Sequence, residues 1–288
     1  MTSITDPSGG SAALAYDSSG RLISISDTLG RTSSFTYDSS SLINSLTTPY
    51  GTTTFLYGGS GNQRFVEAID PLGDHEREET LQPAPVPFSD PANTVPQGII
   101  DPFNVYLNYR DSFHWDKNQY VLAGCNLAGS GGCNYNLARD THFAHDVING
   151  YAQSVTGHFV ESVKYPSENR IWYDYPGQEN PGCANLGTAC NGTYDMPLGI
   201  GRVLSDGTTQ LTQCSYNSVG NLTQIIYPTE QTINFIYAAN GIDLDLVQQV
   251  TDNGPVTIAP HKAASSRASL KRRARSRSAH NLCSPARR

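Results

Sequence analysis

The residues best placed to do chemistry lie mid-chain. His142-Phe143-Ala144-His145-Asp146 holds two imidazoles three apart with a carboxylate beside them. On a helix that spacing would set both rings on one face for a metal ion. On a strand, positions three apart face opposite sides, and Phe143-Ala144 stand where a metalloprotease helix would carry its general-base Glu. These histidines, with His114 and His158, therefore read as surface or packed side chains. Gly129-Ser130-Gly131-Gly132 lacks the following Lys-Ser/Thr and the helix signal of a phosphate loop. No serine nucleophile elbow and no Cys-x-x-Cys pair occurs. No catalytic, cofactor-binding or metal-ligating residue is assigned; the expectation is a protein that is not an enzyme and needs no cofactor.

Sulfur chemistry is the remaining option. Cys125 and Cys133 flank a flexible loop, and Cys183 and Cys190 flank a Gly/Asn-rich one. Each pair could close a disulfide in an exported protein, or remain as thiols in a reducing cytoplasm. Cys214 sits two before Tyr216, where other units place Leu or Phe, and reads as a small buried hydrophobe. Asn191-Gly192-Thr193 and Asn221-Leu222-Thr223 match a glycosylation sequon, which carries meaning only in a eukaryotic secretory context.

The elements that must position these residues announce themselves by a beat. Tyr16, Tyr37 and Tyr57 are 21 and 20 residues apart, and Tyr216 and Tyr237 repeat the 21-residue step. Such a period indicates an array of small structural units. Turn signals fall between and beside the tyrosines: Asp6…Gly9, Asp17…Gly20, Asp27…Gly30, Gly51, Asp70…Gly73 and Asn217…Gly220. Asp or Asn bonds its own backbone two residues on, and Gly accepts the positive φ that closes the turn. A turn about every ten residues leaves room for strands of ~5–6 residues. Phe35, Phe55 and Phe235 each stand two before a Tyr, with Leu14 in that place in the first unit, so both anchors share one strand face. The reading is all-β: linked antiparallel hairpins, each burying one face against its neighbours. Helix is expected to be sparse, with His145–Ala152 the only candidate stretch.

Those residues carry a resemblance. Tyr-Asp-x-x-Gly-x-Leu, then about ten residues, then Asp-Pro-x-Gly, resembles the YD repeat of the RHS (rearrangement hotspot) proteins, which teneurins share. It covers residues 1–80 and 203–240; the middle, including Tyr173-Asp174, resembles degenerate stretches of such arrays. The resemblance implies a spiral, shell-like β-sheet that encloses a variable C-terminal effector, often a toxin in bacteria, in a secreted or cell-surface protein. It also implies an RHS-associated core with an Asp-containing cleavage motif, and neither that nor a toxin domain is recognised in these residues.

Composition agrees. Gly 26 and Pro 17 supply many turns, and charged residues are 16%. No apolar run reaches the ~18–20 residues that span a bilayer. Polar residues and a repeat turn at Asp6 follow Met1, so no signal peptide is read, and the early beat suggests a fragment of a longer array. The organisation expected is YD/RHS repeats over 1–80, a Pro-rich insertion or linker over 81–100, a degenerate RHS-like β region with Gly/Asn loops over 101–202, YD/RHS repeats over 203–260, and a tail over 261–288. That tail holds nine of the 19 Lys and Arg and no acid, which leaves a body with net charge −16. An acidic body does not suit nucleic acid. The tail reads as disordered, or as the product of a frameshift.

Two functions are weighed. The first is a wall segment whose partners are the rest of an RHS shell and an enclosed effector. The second is a carbohydrate- or protein-binding repeat module at the cell surface, using exposed Tyr with Trp115 or Trp172.

Overall fold

A computed structural model describes residues 2–99, 106–125, 132–148, 151–176, 196–251 and 254–258, and structural statements concern these residues alone. They divide into two compact units, one of residues 1–82 with 112–139 and one of 83–111 with 140–288.

The first unit opens as a meander. Strands β1 (Ser3–Thr5), β2 (Ser11–Tyr16), β3 (Leu22–Ser26), β4 (Thr32–Tyr37), β5 (Ile43–Thr48), β6 (Gly51–Ser60), β7 (Gln63–Ile69) and β8 (His75–Leu81) pair antiparallel in sequence order. β9 (Asp111–Trp115) and helix α1 (Lys117–Leu122) complete it. The second unit repeats the scheme with β10 (Arg139–Ile148), β11 (Tyr151–Lys164), β12 (Ile171–Asp174), β13 (Gly199–Val203), β14 (Thr209–Tyr216), β15 (Leu222–Ile226), β16 (Thr232–Tyr237), β17 (Leu244–Thr251) and β18 (Gly254–Ile258), again antiparallel neighbours in order.

One turn geometry recurs. Asp17 Oδ1 accepts from the Ser19 and Arg21 amides at 2.9 Å, while Gly20 N–H donates to the Asp17 carbonyl. Asp6, Asp27, Asp38, Asp70 and Asn217 make the same pair of side-chain bonds to the amides two and four residues on. The fourth residue of each turn is left-handed, at φ +80° in Gly20 and +84° in Gly220. Two turns lack the glycine: Ser41 and Glu230 hold that position at φ 65° and 63°. A side chain there costs about 1 kcal/mol or more. Since Glu230 is exposed, Glu230→Gly should raise stability by about 1 kcal/mol, read from denaturant unfolding, and Gly20→Ala should lower it by about as much.

Packing departs from the expected single buried face. None of residues 2–60 is fully buried, so β1–β6 form a thin sheet whose apolar positions are only half covered. The register explains the division of labour. Phe35, Leu46 and Thr53 align on one face, while Ser34, Thr47 and Thr52 align on the other. That second face is a row of hydroxyls, with Ser26–Thr32, Thr36–Ser45 and Thr47–Thr52 hydrogen-bonded across strands at 2.7–2.9 Å. Deep burial begins at β7 and β8, and in the second unit at three clusters built on Leu222/Ile225, Leu107/Trp172 and Val163/Tyr175.

The helix lies elsewhere than expected. His145–Ile148 and Tyr151–Ala152 are strand, the ends of β10 and β11. The described α-helix is α1, set by a capping box: Asp116 Oδ1 accepts from the Gln119 amide at 2.8 Å and Gln119 Oε1 from the Asp116 amide at 3.2 Å. Of the Pro-rich stretch, the described part is turns and one short 3-10 helix at Ala92–Thr94, and Ile99 reaches the Leu107/Trp172 cluster.

Candidate functional site

The repeat tyrosines use their hydroxyls. Tyr37 Oη donates to the Leu22 carbonyl at 2.7 Å, Tyr57 to Ile43 at 2.9 Å and Tyr237 to Leu222 at 2.9 Å, across 15, 14 and 15 residues. Pairing between β3 and β4 begins at Ser24↔Ser34, so Leu22 lies beyond the ladder and the phenol takes its carbonyl. The same holds for Leu222, since β15 and β16 pair from Gln224↔Asn234. Tyr16, Tyr37, Tyr216 and Tyr237 each sit where the register slips by one residue, a bulge that turns the ring toward the preceding hairpin. Tyr216 Oη donates to the Pro197 carbonyl, and Tyr175, rather than Tyr173, makes the 15-residue link in the middle region, to Val160. Arg21 adds a second tie: it bonds Asp17 at 2.7 Å, reaches Ser41 Oγ, and lies 4.7 Å from the Tyr37 ring centroid. Tyr37→Phe should cost about 0.5–1.5 kcal/mol by orphaning the Leu22 carbonyl; unfolding curves for the two proteins check it.

The apolar anchors differ between units. In the second, Phe235 joins Cys214, Leu222 and Ile225 in a buried cluster against which Tyr216 and Tyr237 pack. In the first, Phe35 and Phe55 occupy the matching positions and are half-buried, and Tyr16 and Tyr57 are exposed. Gly51 is at φ +127°, and a Cβ there would stand 2.5 Å from Pro71 Cβ, so this turn requires glycine for close approach.

Beyond the repeat, each unit buries charge. In the first, Glu67 on β7 faces Arg77 on β8, and Glu79 stands two further along; all three are fully buried. Arg77 bonds Glu79 Oε2 at 2.9 and 3.1 Å and Glu67 Oε2 at 3.4 Å, with its guanidinium 3.8 Å from the Phe65 ring centroid. The other carboxylate oxygens take phenols: Tyr120 Oη donates to Glu67 at 2.9 Å and Tyr135 Oη to Glu79 at 2.8 Å. His75 Nδ1 also meets Glu67 at 2.6 Å and stacks on Tyr120. Burial and the Glu67 carboxylate push the Tyr120 phenol up to about 12. The cover over this triad is the segment that carries Phe113, Trp115, Tyr120 and Tyr135, tied at its edge by Lys117 to Asp70.

In the second unit, His142 on β10 is fully buried between two acids. Its Nδ1 meets Asp111 Oδ1 at 2.8 Å and its Nε2 meets Glu161 Oε2 at 3.3 Å. Burial pulls the imidazole down, but hydrogen bonds to Asp111 and Glu161 outweigh it and push it up to about 9, so the ring is cationic at neutral pH. Arg170 bonds Asp140 at 2.8 Å, Asp90 at 3.0 Å and Ser162 at 3.1 Å close by. Arg110 donates to the Phe143 carbonyl and flanks His142. Among the described residues no group of three or more His, Cys, Asp or Glu could hold a metal ion. These charges lock strands together.

Residues 16–53 match the RHS Repeat family model. The chain carries an RHS repeat. Curated proteins offer no match to the chain. Solved structures offer distant likenesses. The Photorhabdus luminescens Tc holotoxin pore with the TccC3 D651A mutation is 10% identical, with TM-score 0.40, covering 88% of this chain and 10% of that one. The TcdB2-TccC3-Cdc42 structure is 11% identical, with TM-score 0.40, over 87% of this chain and 11% of that one. A porin-like protein from Bacteroides uniformis is 12% identical, with TM-score 0.26, over 86% of this chain and 87% of that one. The chain thus spans about a tenth of the Tc chains it is similar to.

The matched RHS stretch contains Tyr16, Phe35 and Tyr37 with the turns at Asp17, Gly20, Asp27, Gly30 and Gly51. Outside it, the turn after Tyr216 repeats the paired side-chain bonds through Asn217, and Tyr237 repeats the 15-residue phenol bond to Leu222. Three sequence expectations are corrected. Trp115 and Trp172 are fully buried: the Trp115 indole N–H donates to the Asn134 carbonyl, and Trp172 packs with Ile99 and Leu107, so neither offers a binding surface. Cys214 is buried but is also disulfide-bonded. The β-array does not bury one face throughout, as its first six strands show. Cys125 and Cys133 are disulfide-bonded, whereas Cys183 and Cys190 lie outside the described residues. The two charge clusters were missed in the sequence. An alternation in His75-Glu76-Arg77-Glu78-Glu79, with Arg flanked by acids, was the available signal for the first; Asp111 and His142 offered none.

No helix among the described residues is long and apolar enough to cross a membrane.

Proposed function

We propose that this chain is a structural segment of an RHS-type β-wall, which builds and holds an enclosure and does no chemistry of its own. The completed wall encloses or displays a C-terminal effector, such as a toxin, in a secreted or cell-surface protein. Its partners are the rest of the wall and that effector; nucleic acid does not suit the acidic body. The observation that carries this reading is the phenol-to-carbonyl link repeated at 14 or 15 residues in both units. It spends the repeat's signature residue on joining one hairpin to the next. The RHS match over residues 16–53 supports it.

Protease protection in the product of the whole gene tests it. A segment downstream of the array should resist digestion until the wall is unfolded. Digestion as fast as that of the free segment would overturn the reading.

A second reading, a carbohydrate- or protein-binding module, keeps one supporting observation: the hydroxyl rows, in which Thr32, Thr36, Thr47 and Thr52 are exposed. Glycan-array binding that is lost in Thr36→Val/Thr47→Val would favour it over the wall.

A further inference from the structure

The cover over the Glu67–Arg77–Glu79 triad has one covalent closure. Cys125 follows α1, which carries Tyr120, and Cys133 precedes Tyr135 by two residues; the disulfide joins them. Each side of that bridge thus carries one of the two phenols that reach the buried carboxylates, Tyr120 to Glu67 and Tyr135 to Glu79. The bridge also holds Asn134, whose carbonyl takes the Trp115 indole N–H. Cys133 is buried and Cys125 is half-exposed, so the bridge can be reached from the Cys125 side.

We infer that the Cys125–Cys133 disulfide is a redox-sensitive latch that keeps the cover formed by residues 112–125 and 132–139 closed over the buried triad and releases it to a thiol reductant. Attack by a thiolate of the reductant on Cys125 Sγ breaks the S–S bond and forms a mixed disulfide, with Cys133 leaving as a thiolate that takes a proton. A second thiol of the reductant resolves the mixed disulfide, so two thiols are oxidised to a disulfide and the cystine is reduced to two cysteines. The consequence follows from charge. Closed, the two buried carboxylates share one guanidinium, two phenols and the His75 ring. When the cross-link goes, the entropy of the cover rises. If the phenols leave, water must enter to solvate the carboxylate oxygens of Glu67 and Glu79 that they held. The covered and the opened arrangement are therefore distinct states.

Hydrogen exchange on the full chain tests this, with dithiothreitol as the reductant. Amides in 112–125, 132–139 and 67–79 should exchange about tenfold or more faster after reduction, while those of β2–β5 stay unchanged. Oxidised dithiothreitol should restore the slow rates. Cys125→Ser/Cys133→Ser should be fast from the outset and blind to reductant, which separates this bridge from the one at Cys214. Unchanged exchange in reduced wild type, or acceleration confined to the second unit, would overturn the inference. So would a double-serine protein as slow as the oxidised wild type. If that variant does not fold, the wild-type comparison alone decides.

Discussion

Arg77→Met should destabilise the first unit by about 3–5 kcal/mol, the range expected when one partner of a buried ion pair is removed. The guanidinium is the cation between Glu67 and Glu79, and all three side chains are fully buried. Methionine keeps the contact with Phe65 but leaves two carboxylates to repel each other in a dry site. They must then take up protons, admit water or expel the cover. Hydrogen exchange of β7 and β8, or denaturant unfolding, reads the loss. The triple change Glu67→Gln/Arg77→Met/Glu79→Gln should recover most of it, because no buried charge then lacks a partner. A single variant within about 0.5 kcal/mol of wild type would mean the triad is solvated.

Alkali should loosen the second unit. His142 is raised to about 9 in the folded protein by Asp111 and Glu161, against 6.5 for an unperturbed histidine. Its stabilisation is therefore complete below pH 6.5 and is lost as pH rises through about 9. At about 1.4 kcal/mol per pKa unit the loss is on the order of 3 kcal/mol. Asp111 adds the same sign: burial, then the Asp140 carboxylate, raise it to about 7, so the folded protein gains on taking up a proton below that pH. Tyr173, pushed up to about 12 by burial, stays protonated across the window. Unfolding measured at pH 6, 8 and 10 should show a fall in stability that His142→Gln reduces, most of all between pH 8 and 10, leaving the part that Asp111 contributes near pH 7. A wild-type profile parallel to the variant's would refute the charged imidazole.

The turn carboxylates have the opposite sign. Asp6, Asp17 and Asp27 are held below 3.8, chiefly by hydrogen bonds from Ser8, Arg21 and Arg31, so their contribution is present above that pH and is lost in acid. The first unit's hairpins and the second unit's charge cluster thus fail at opposite ends of the pH scale.

What could be read from the residues alone was the local part. An Asp that bonds amides two and four residues away, followed by a left-handed Gly, closes its turn within five residues, so composition and spacing are enough to place it. The beat of Tyr and the apolar residue two before it follows for the same reason. The purpose of the Tyr hydroxyl needed the register, because its carbonyl lies 14 or 15 residues back and becomes free only where the ladder ends.

Burial was decided by the tertiary structure. Glu67 meets Tyr120 across 53 residues and Glu79 meets Tyr135 across 56, and those contacts bury Glu67 and the Arg77/Glu79 face of the alternating stretch, while Glu76 on the other face stays exposed. Trp115 and Trp172 read as surface aromatics, yet both are fully buried, Trp115 bonded to the Asn134 carbonyl and Trp172 packed against Ile99 and Leu107. His142 becomes a cation because three strands and a loop bring Asp111 and Glu161 to its two nitrogens. Turns and strand period are set by bonds between near neighbours, which the sequence carries in order. Which face is covered, and which charge is kept from water, depends on what folds over it, and that is decided by contacts many residues apart.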